Sequence, residues 1–304
     1  MNHALTMPRK FQRGFTLVEL LASMVLFSMI IGLTAWAVIG ATDTTSGAEK
    51  RMDTASQARA FFDRFGADLN TMITDGGITA FYDEGGGSGG NSAIGFICQS
   101  RPRATSGDRR GVVVAYRINN TEDIDGQDYP MASRGDGSLL YVDPIGSIIE
   151  KASSDLSDGG NDILNWQVLG TGIIRLHISF LLNDGKTVQT PPGYKTPTDQ
   201  VFPKGVNIAS SCKLIPFRAE DSDAPKREYV VGLIASVAVL DTRTRNLAFK
   251  STPSFADQFS RPLNDSDKTA IAVWNKKLET LGDSQISKPV RANIRFYERM
   301  YTVR

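Results

Sequence analysis

The sequence predicts an α+β protein, in which one long N-terminal helix packs on a largely antiparallel β-sheet domain. Three observations carry this. Residues 15–42 form an apolar run that holds one charge, Glu19. Met52, Ala55, Ala58, Phe62, Phe65, Leu69 and Met72 then recur at three- and four-residue steps, the stripe of an amphipathic helix. Beyond residue 90 the chain reads mostly as strands, without repeated strand–helix alternation.

The first element is a leader, residues 1–14. It carries Arg9, Lys10 and Arg13 and no acidic residue. Residues 15–42 as a helix would span roughly 42 Å, more than the ~30 Å hydrocarbon core of a bilayer. Basic residues ahead of an apolar span keep the N-terminus cytoplasmic. The chain is therefore expected to cross the inner membrane once, with residues 74–304 outside the cytoplasm. Glu19 is anomalous, because a carboxylate in an apolar span costs energy and marks a functional position by default.

The amphipathic half is expected to continue the same helix to about Ile73. Glu49, Lys50, Arg51, Asp53, Arg59, Asp63, Arg64 and Asp68 form its solvated face, and the stripe is read as core packing. The run Asp43-Thr44-Thr45-Ser46-Gly47 is expected to weaken the helix at the junction, and Asp75-Gly76-Gly77 to end it.

Gly85-Gly86-Gly87-Ser88-Gly89-Gly90 reads as a surface loop. It lacks the Lys-Ser/Thr and following helix of a phosphate-binding loop. Strands are expected at Ile94–Cys98 and at Val112, Val114, Tyr116 and Ile118, which alternate with a more mixed face. Ile174, Leu176, Ile178, Phe180 and Leu182 alternate with Arg175, His177 and Ser179, so His177 is expected on an exposed polar face. Residues 190–203, with Pro191, Pro192, Pro197 and Pro203, form a loop, and another strand is placed near Leu214–Phe217. Tyr229–Leu240 is nearly all apolar and fits a central strand buried on both faces. A helix capped by Ser266 follows, with Ile271, Trp274, Leu278 and Leu281 as its stripe and Gly282 as its end. Val290, Ala292, Ile294 and Phe296 alternate with Arg291, Asn293, Arg295 and Tyr297 as a closing strand.

Composition excludes several functions. Lys plus Arg number 34 and Asp plus Glu 33, which gives no electrostatic footprint for nucleic acid. The two histidines, His3 and His177, and the two cysteines, Cys98 and Cys212, lack zinc-site spacing. No G-x-S-x-G motif is present. No cofactor and no catalytic residue are expected. The turn Asp123-Ile124-Asp125-Gly126-Gln127-Asp128 has the look of a small calcium loop, with Asp123, Asp125 and Asp128 as ligands. It lacks the spacing and closing Glu of an EF-hand, so it reads first as a solvated acidic turn. Asp158, Asn161 and Asp162 around Gly159-Gly160 are a weaker version. Cys98 and Cys212 are a candidate disulfide pair, since the domain is expected to fold where disulfides persist. Two buried thiols are the alternative.

Gly14-Phe15-Thr16-Leu17-Val18-Glu19-Leu20, after a short basic leader, resembles the cleavage and methylation motif of type IV prepilins and type II secretion pseudopilins. The resemblance implies that a prepilin peptidase cuts after Gly14 and that Phe15 is then N-methylated. It implies that Glu19 pairs with the N-terminal amine of a neighbouring subunit during assembly. Pairing fits the physics, since a buried carboxylate and a buried ammonium are each costly alone. The implied partners are other pilins or pseudopilins, the prepilin peptidase and an inner-membrane assembly platform.

Two competing readings of the N-terminus remain. One is a secretory signal with Ala35-Trp36-Ala37 as its cleavage site, against which the run is too long and Glu19 interrupts it. The other is a plain signal anchor. Many pilins carry a helix-loosening Pro where this chain has Trp36, although Gly32 and Gly40 can supply flexibility. The length resembles that of minor rather than major subunits, such as the J-type pseudopilins and W-type minor pilins. Gly232–Asp241 and the aromatic-basic C-terminal strand also resemble Verru_Chthon cassette protein C. The expected role is structural assembly without enzymatic activity. The rival class is a membrane-tethered binding module or enzyme using the same export route.

Overall fold

Helix α1 runs without a break from Leu17 to Asn70 in the computed structural model, which describes residues 16–73, 80–83, 85, 90–99, 109–122, 126, 128–140, 145–158, 163–192, 212–215, 217, 229–252, 255–259, 269–282 and 285–303. The chain forms two compact units, the first ending at Glu49 and the second being Lys50–Arg304. The expected weak junction at 43–47 is helical throughout. The hydroxyls of Thr42, Thr44 and Thr45 donate to the carbonyls four residues back, at 2.8–2.9 Å, so these side chains bond within the helix and do not compete with it.

In the second unit, β1 (Ala80–Asp83), β2 (Ala93–Cys98), β3 (Arg109–Glu122) and β4 (Asp128–Leu140) are followed by α2 (Ile145–Asp158). Next come β5 (Asn165–Gly170), β6 (Ile173–Leu182), β7 (Thr187–Val188), β8 (Cys212–Leu214) and β9 (Val230–Val239). Then follow α3 (Thr242–Ser251), a 3-10 turn (Phe255–Phe259), α4 (Ala270–Thr280), α5 (Lys288–Asn293) and β10 (Arg295–Thr302). The strands form two antiparallel sheets, β5-β4-β3-β2-β1-β8 and β10-β9-β6-β7. The α+β expectation is met.

Three apolar clusters divide the core. The largest joins Phe61, Phe62, Phe65 and Leu69 of α1 to Phe96, Val114 and Tyr116 of the six-stranded sheet and Ile178, Phe180 and Val237 of the four-stranded sheet. The second packs Ile149, Ala152 and Leu156 of α2 on Phe81, Val113 and Ala115, the opposite face of the larger sheet. The third packs Ala248 of α3, Phe255, Trp274 of α4 and Val290 of α5 on Ile174 and Ala238 of the smaller sheet. Each sheet is thus covered on both faces where these clusters lie. That explains why β3 is buried from Gly111 to Tyr116 and not half solvated as its pattern suggested.

The sequence reading missed α2 and α3, and it placed two elements differently. Val290 and Ala292 lie in α5, which Pro289 helps to start, so the closing strand begins only at Arg295. Thr269 caps α4, accepting from the Ala272 amide at 3.4 Å, and Leu281 is its C-cap, with Gly282 directly after it. Ser266 lies outside the described residues. Tyr229–Leu240 holds as a central strand: β9 lies between β10 and β6 and is buried along nearly its whole length.

From Lys50 onward α1 is tied to both sheets by more than apolar contact. Tyr301 of β10 donates to the Phe62 carbonyl at 2.7 Å, and its ring lies where a Cβ on Gly66 would come within 2.7 Å. Gln57 accepts from the Gly172 amide at 2.7 Å. Asp68, 3% exposed, accepts from Tyr116 at 2.5 Å and from the Arg134 guanidinium at 2.6 Å, and Arg134 also pairs with Asp136 at 2.9 Å. Burial first, then the Asp68 carboxylate, pushes the Tyr116 hydroxyl far above its ordinary pKa, so it stays a donor at all working pH. Removing one partner leaves a buried charge uncompensated. Asp68→Ala is therefore expected to cost about 3–5 kcal/mol. Arg64→Ala, which removes a half-exposed partner at 3.5 Å, should cost about 0–1 kcal/mol. Denaturant unfolding of the detergent-solubilised variants checks both, and equal losses would contradict the assignment.

Candidate functional site

The candidate site is the start of α1, and Thr16 builds it. Thr16 precedes the first helical residue, and its hydroxyl accepts from the Glu19 amide at 3.3 Å. The Glu19 carboxylate reaches back to the Thr16 amide and hydroxyl, both at 3.4 Å. This reciprocal arrangement is a capping box, which satisfies donors left open at a helix start. Thr16-Leu17-Val18-Glu19 spells it in the sequence, a signal that the anomaly of a charge in an apolar span hides. The contacts are long and Glu19 is exposed, so the carboxylate keeps room for a further donor. Gly14 and Phe15 lie outside the described residues.

Among the described residues, every large apolar side chain that the first unit exposes lies between Leu17 and Ile39, at 51–77% exposure. A continuous exposed apolar surface marks a membrane or protein contact. The helix is long and apolar enough to cross a membrane. Its polar side chains are self-satisfied: Ser23 donates to the Glu19 carbonyl at 2.7 Å, Ser28 to Met24 at 2.8 Å and Thr34 to Ile30 at 3.0 Å.

The remaining candidates are in the second unit. Asp128 opens β4, exposed, opposite Glu122 in the β3–β4 hairpin, while Asp123 and Asp125 lie outside the described residues. Among the described residues no three His, Cys, Asp or Glu side chains gather as a metal site. His177 is not on an exposed face. It is 3% exposed, and its neighbours Arg175 and Ser179 are equally buried. Arg175 donates to the Ala256 carbonyl of the 3-10 turn at 2.5 Å, so a covering layer, not solvent, satisfies this face.

Cys98 and Cys212 do not form the candidate disulfide. Cys212 stands opposite Asp83, which stands opposite Ala93, so the cysteines are two strands and five residues apart. They also belong to clusters on opposite faces of the sheet. That separation is far beyond the ~7 Å Cα limit of a bridge. Cys98 donates to the Asp68 carbonyl at 3.2 Å and Cys212 to the Ser153 carbonyl at 3.5 Å. Burial pushes the Cys98 thiol up to about 12, which removes its thiolate at neutral pH.

Residues 9–35 match the family model described as the prokaryotic N-terminal methylation motif. The match covers Gly14, Phe15, Thr16 and Glu19 and supports the type IV prepilin-like and pseudopilin family. It indicates a prepilin-type, peptidase-processed, pilin-like protein, and with the apolar helix it indicates membrane anchoring. A comparison with curated proteins found no match.

The cysteine geometry sets an expected outcome. A thiol reagent at neutral pH should label neither cysteine rapidly in the folded chain and both in the unfolded, unreduced chain. Full protection after unfolding would show a bridge and contradict the strand register.

Proposed function

We propose that the chain is a minor pilin or pseudopilin. A prepilin peptidase cuts after Gly14, Phe15 becomes the methylated N-terminus, and residues 15–42 hold the subunit in the inner membrane with its N-terminus cytoplasmic. The subunit then enters a type IV pilus-like or type II secretion filament through an inner-membrane assembly platform. There its α1 packs among those of other pilins or pseudopilins. The observation that carries this reading is the pairing of the matched motif at residues 9–35 with a helix whose apolar residues from Leu17 to Ile39 are uncovered. An apolar surface of that extent suits lipid first and neighbouring helices afterwards. The role is assembly, not catalysis, in keeping with a chain that keeps one histidine, His177, once cleaved after Gly14, and that one enclosed in the core.

The capping box separates two roles of Glu19. As a cap, Glu19 needs only an acceptor, which Gln also supplies. As the partner of a neighbour's ammonium, it needs its charge, because an unpaired amine in an apolar core is costly. Glu19→Gln and Glu19→Ala are therefore both expected to insert, to be cleaved after Gly14 and to enter filaments poorly. Thr16→Ala loses about 0.5–2 kcal/mol of helix start but keeps the charge, and should enter filaments far better than either. Immunoblots of sheared filaments against membrane fractions measure this. Wild-type incorporation of Glu19→Gln would leave Glu19 as a cap alone and remove the pairing argument.

A further inference from the structure

The two sheets of the second unit meet at a seam that is stitched by side chains. Asn91 and Ser92, immediately before β2, lie along β6 and bond to its backbone. The Ser92 amide donates to the Leu176 carbonyl at 3.0 Å. The Leu176 amide donates to Asn91 Oδ1 at 3.2 Å, and the Ile178 amide to Ser92 Oγ at 3.2 Å. The Tyr82 hydroxyl of β1 reaches Ser92 Oγ at 3.1 Å, and its ring meets Phe180 of β6 edge-on at 5.0 Å.

His177 sits between those two β6 amides in sequence, with Nδ1 3.5 Å from Ser92 Oγ. Its Nε2 is buried without a hydrogen-bond partner. Across the sheet it stands opposite Ser236, which stands opposite Glu298 and donates to that carboxylate at 2.8 Å. Among the described residues, the contacts and the register place Arg175 on its own strand, Glu298 beyond Ser236 on β10, and Tyr82 through Ser92 nearest to His177. Arg175 is cationic, and Glu298 is exposed and lies beyond Ser236, which donates to it.

We propose that this seam is an acid-sensitive joint, opened when His177 takes up a proton. A neutral imidazole fits, with one nitrogen at Ser92. An imidazolium has two N–H donors and a charge, and among the described residues the enclosure gives Nε2 no acceptor and brings no carboxylate into direct contact with the ring. Opening the seam hydrates the ring, so the proton favours the opened form. The direction agrees with burial, which pushes the imidazole from 6.5 down to about 4. A group held below its ordinary value in the closed form favours closure fully above 6.5. It loses that contribution as pH falls from 6.5 towards 4.

The test uses the full chain in detergent with His3→Asn, which leaves His177 as the single histidine. Hydrogen-exchange protection is measured at the Ser92, Leu176 and Ile178 amides between pH 7 and 4.5. Protection there should fall by up to about tenfold per pH unit below 6.5, and His177→Asn should abolish that dependence. Parallel pH dependence in the two chains would overturn the proposal. If His177→Asn does not fold, the ring resonance of His177 in the folded parent decides. A ring that stays neutral to pH 5 and titrates near 6.5 in urea supports the joint, and one that titrates near 6.5 when folded overturns it.

Discussion

One uninterrupted helix has to satisfy two surroundings, and the rest of the molecule follows from that constraint. From Leu17 to Ile39, α1 presents apolar side chains on all sides and bonds its few hydroxyls to its own carbonyls. From Lys50 onward it narrows to a stripe, with Phe61, Phe62, Phe65 and Leu69 in the core and Asp53, Asp63 and Arg64 turned outward. The stripe is what both sheets pack on, so it orients β3 and β4 on one side and β6, β9 and β10 on the other. Asp68 fixes its last turn through Tyr116 and Arg134, which a purely apolar contact would leave free to slide.

The helix was legible because its two periodicities are strong and its length exceeds any strand. β9 was legible because a long apolar run bounded by polar residues fits a strand buried on both faces. The elements that escaped are those whose apolar residues are few. α2 carries Ile149, Ala152 and Leu156 at helical spacing, but Ser153, Ser154 and Asp155 dilute the pattern. α3 declares itself only through Asp241, whose carboxylate accepts from the Thr244 amide at 3.1 Å. α5 was mistaken for strand because Val290, Ala292 and Ile294 alternate, and Pro289 was the overlooked sign of a helix start. The polar row Arg175, His177 and Ser179 misled for a different reason. Alternation tells which residues share a face, but not whether a further layer covers it.

At the candidate site, the sequence marked Glu19 and its neighbours, and the structure added Thr16. The capping box gives Glu19 a local function that holds before any neighbour arrives. It also keeps the carboxylate at the start of the helix, where the helix dipole stabilises a negative charge. A carboxylate placed there can exchange its long contacts to Thr16 for a shorter bond to an ammonium, at small cost to the helix. The cysteines show the opposite case. Sequence placed both in one exported domain, and only the register showed them on opposite faces of one sheet.

The account rests on the first turn of α1 beginning at a newly made N-terminus, and the mass of that terminus measures it most directly. Chain recovered from its native membranes should yield an N-terminal peptide beginning at Phe15 and heavier by one methyl group. A terminus between Val38 and Ala41, or an intact leader, would contradict the account.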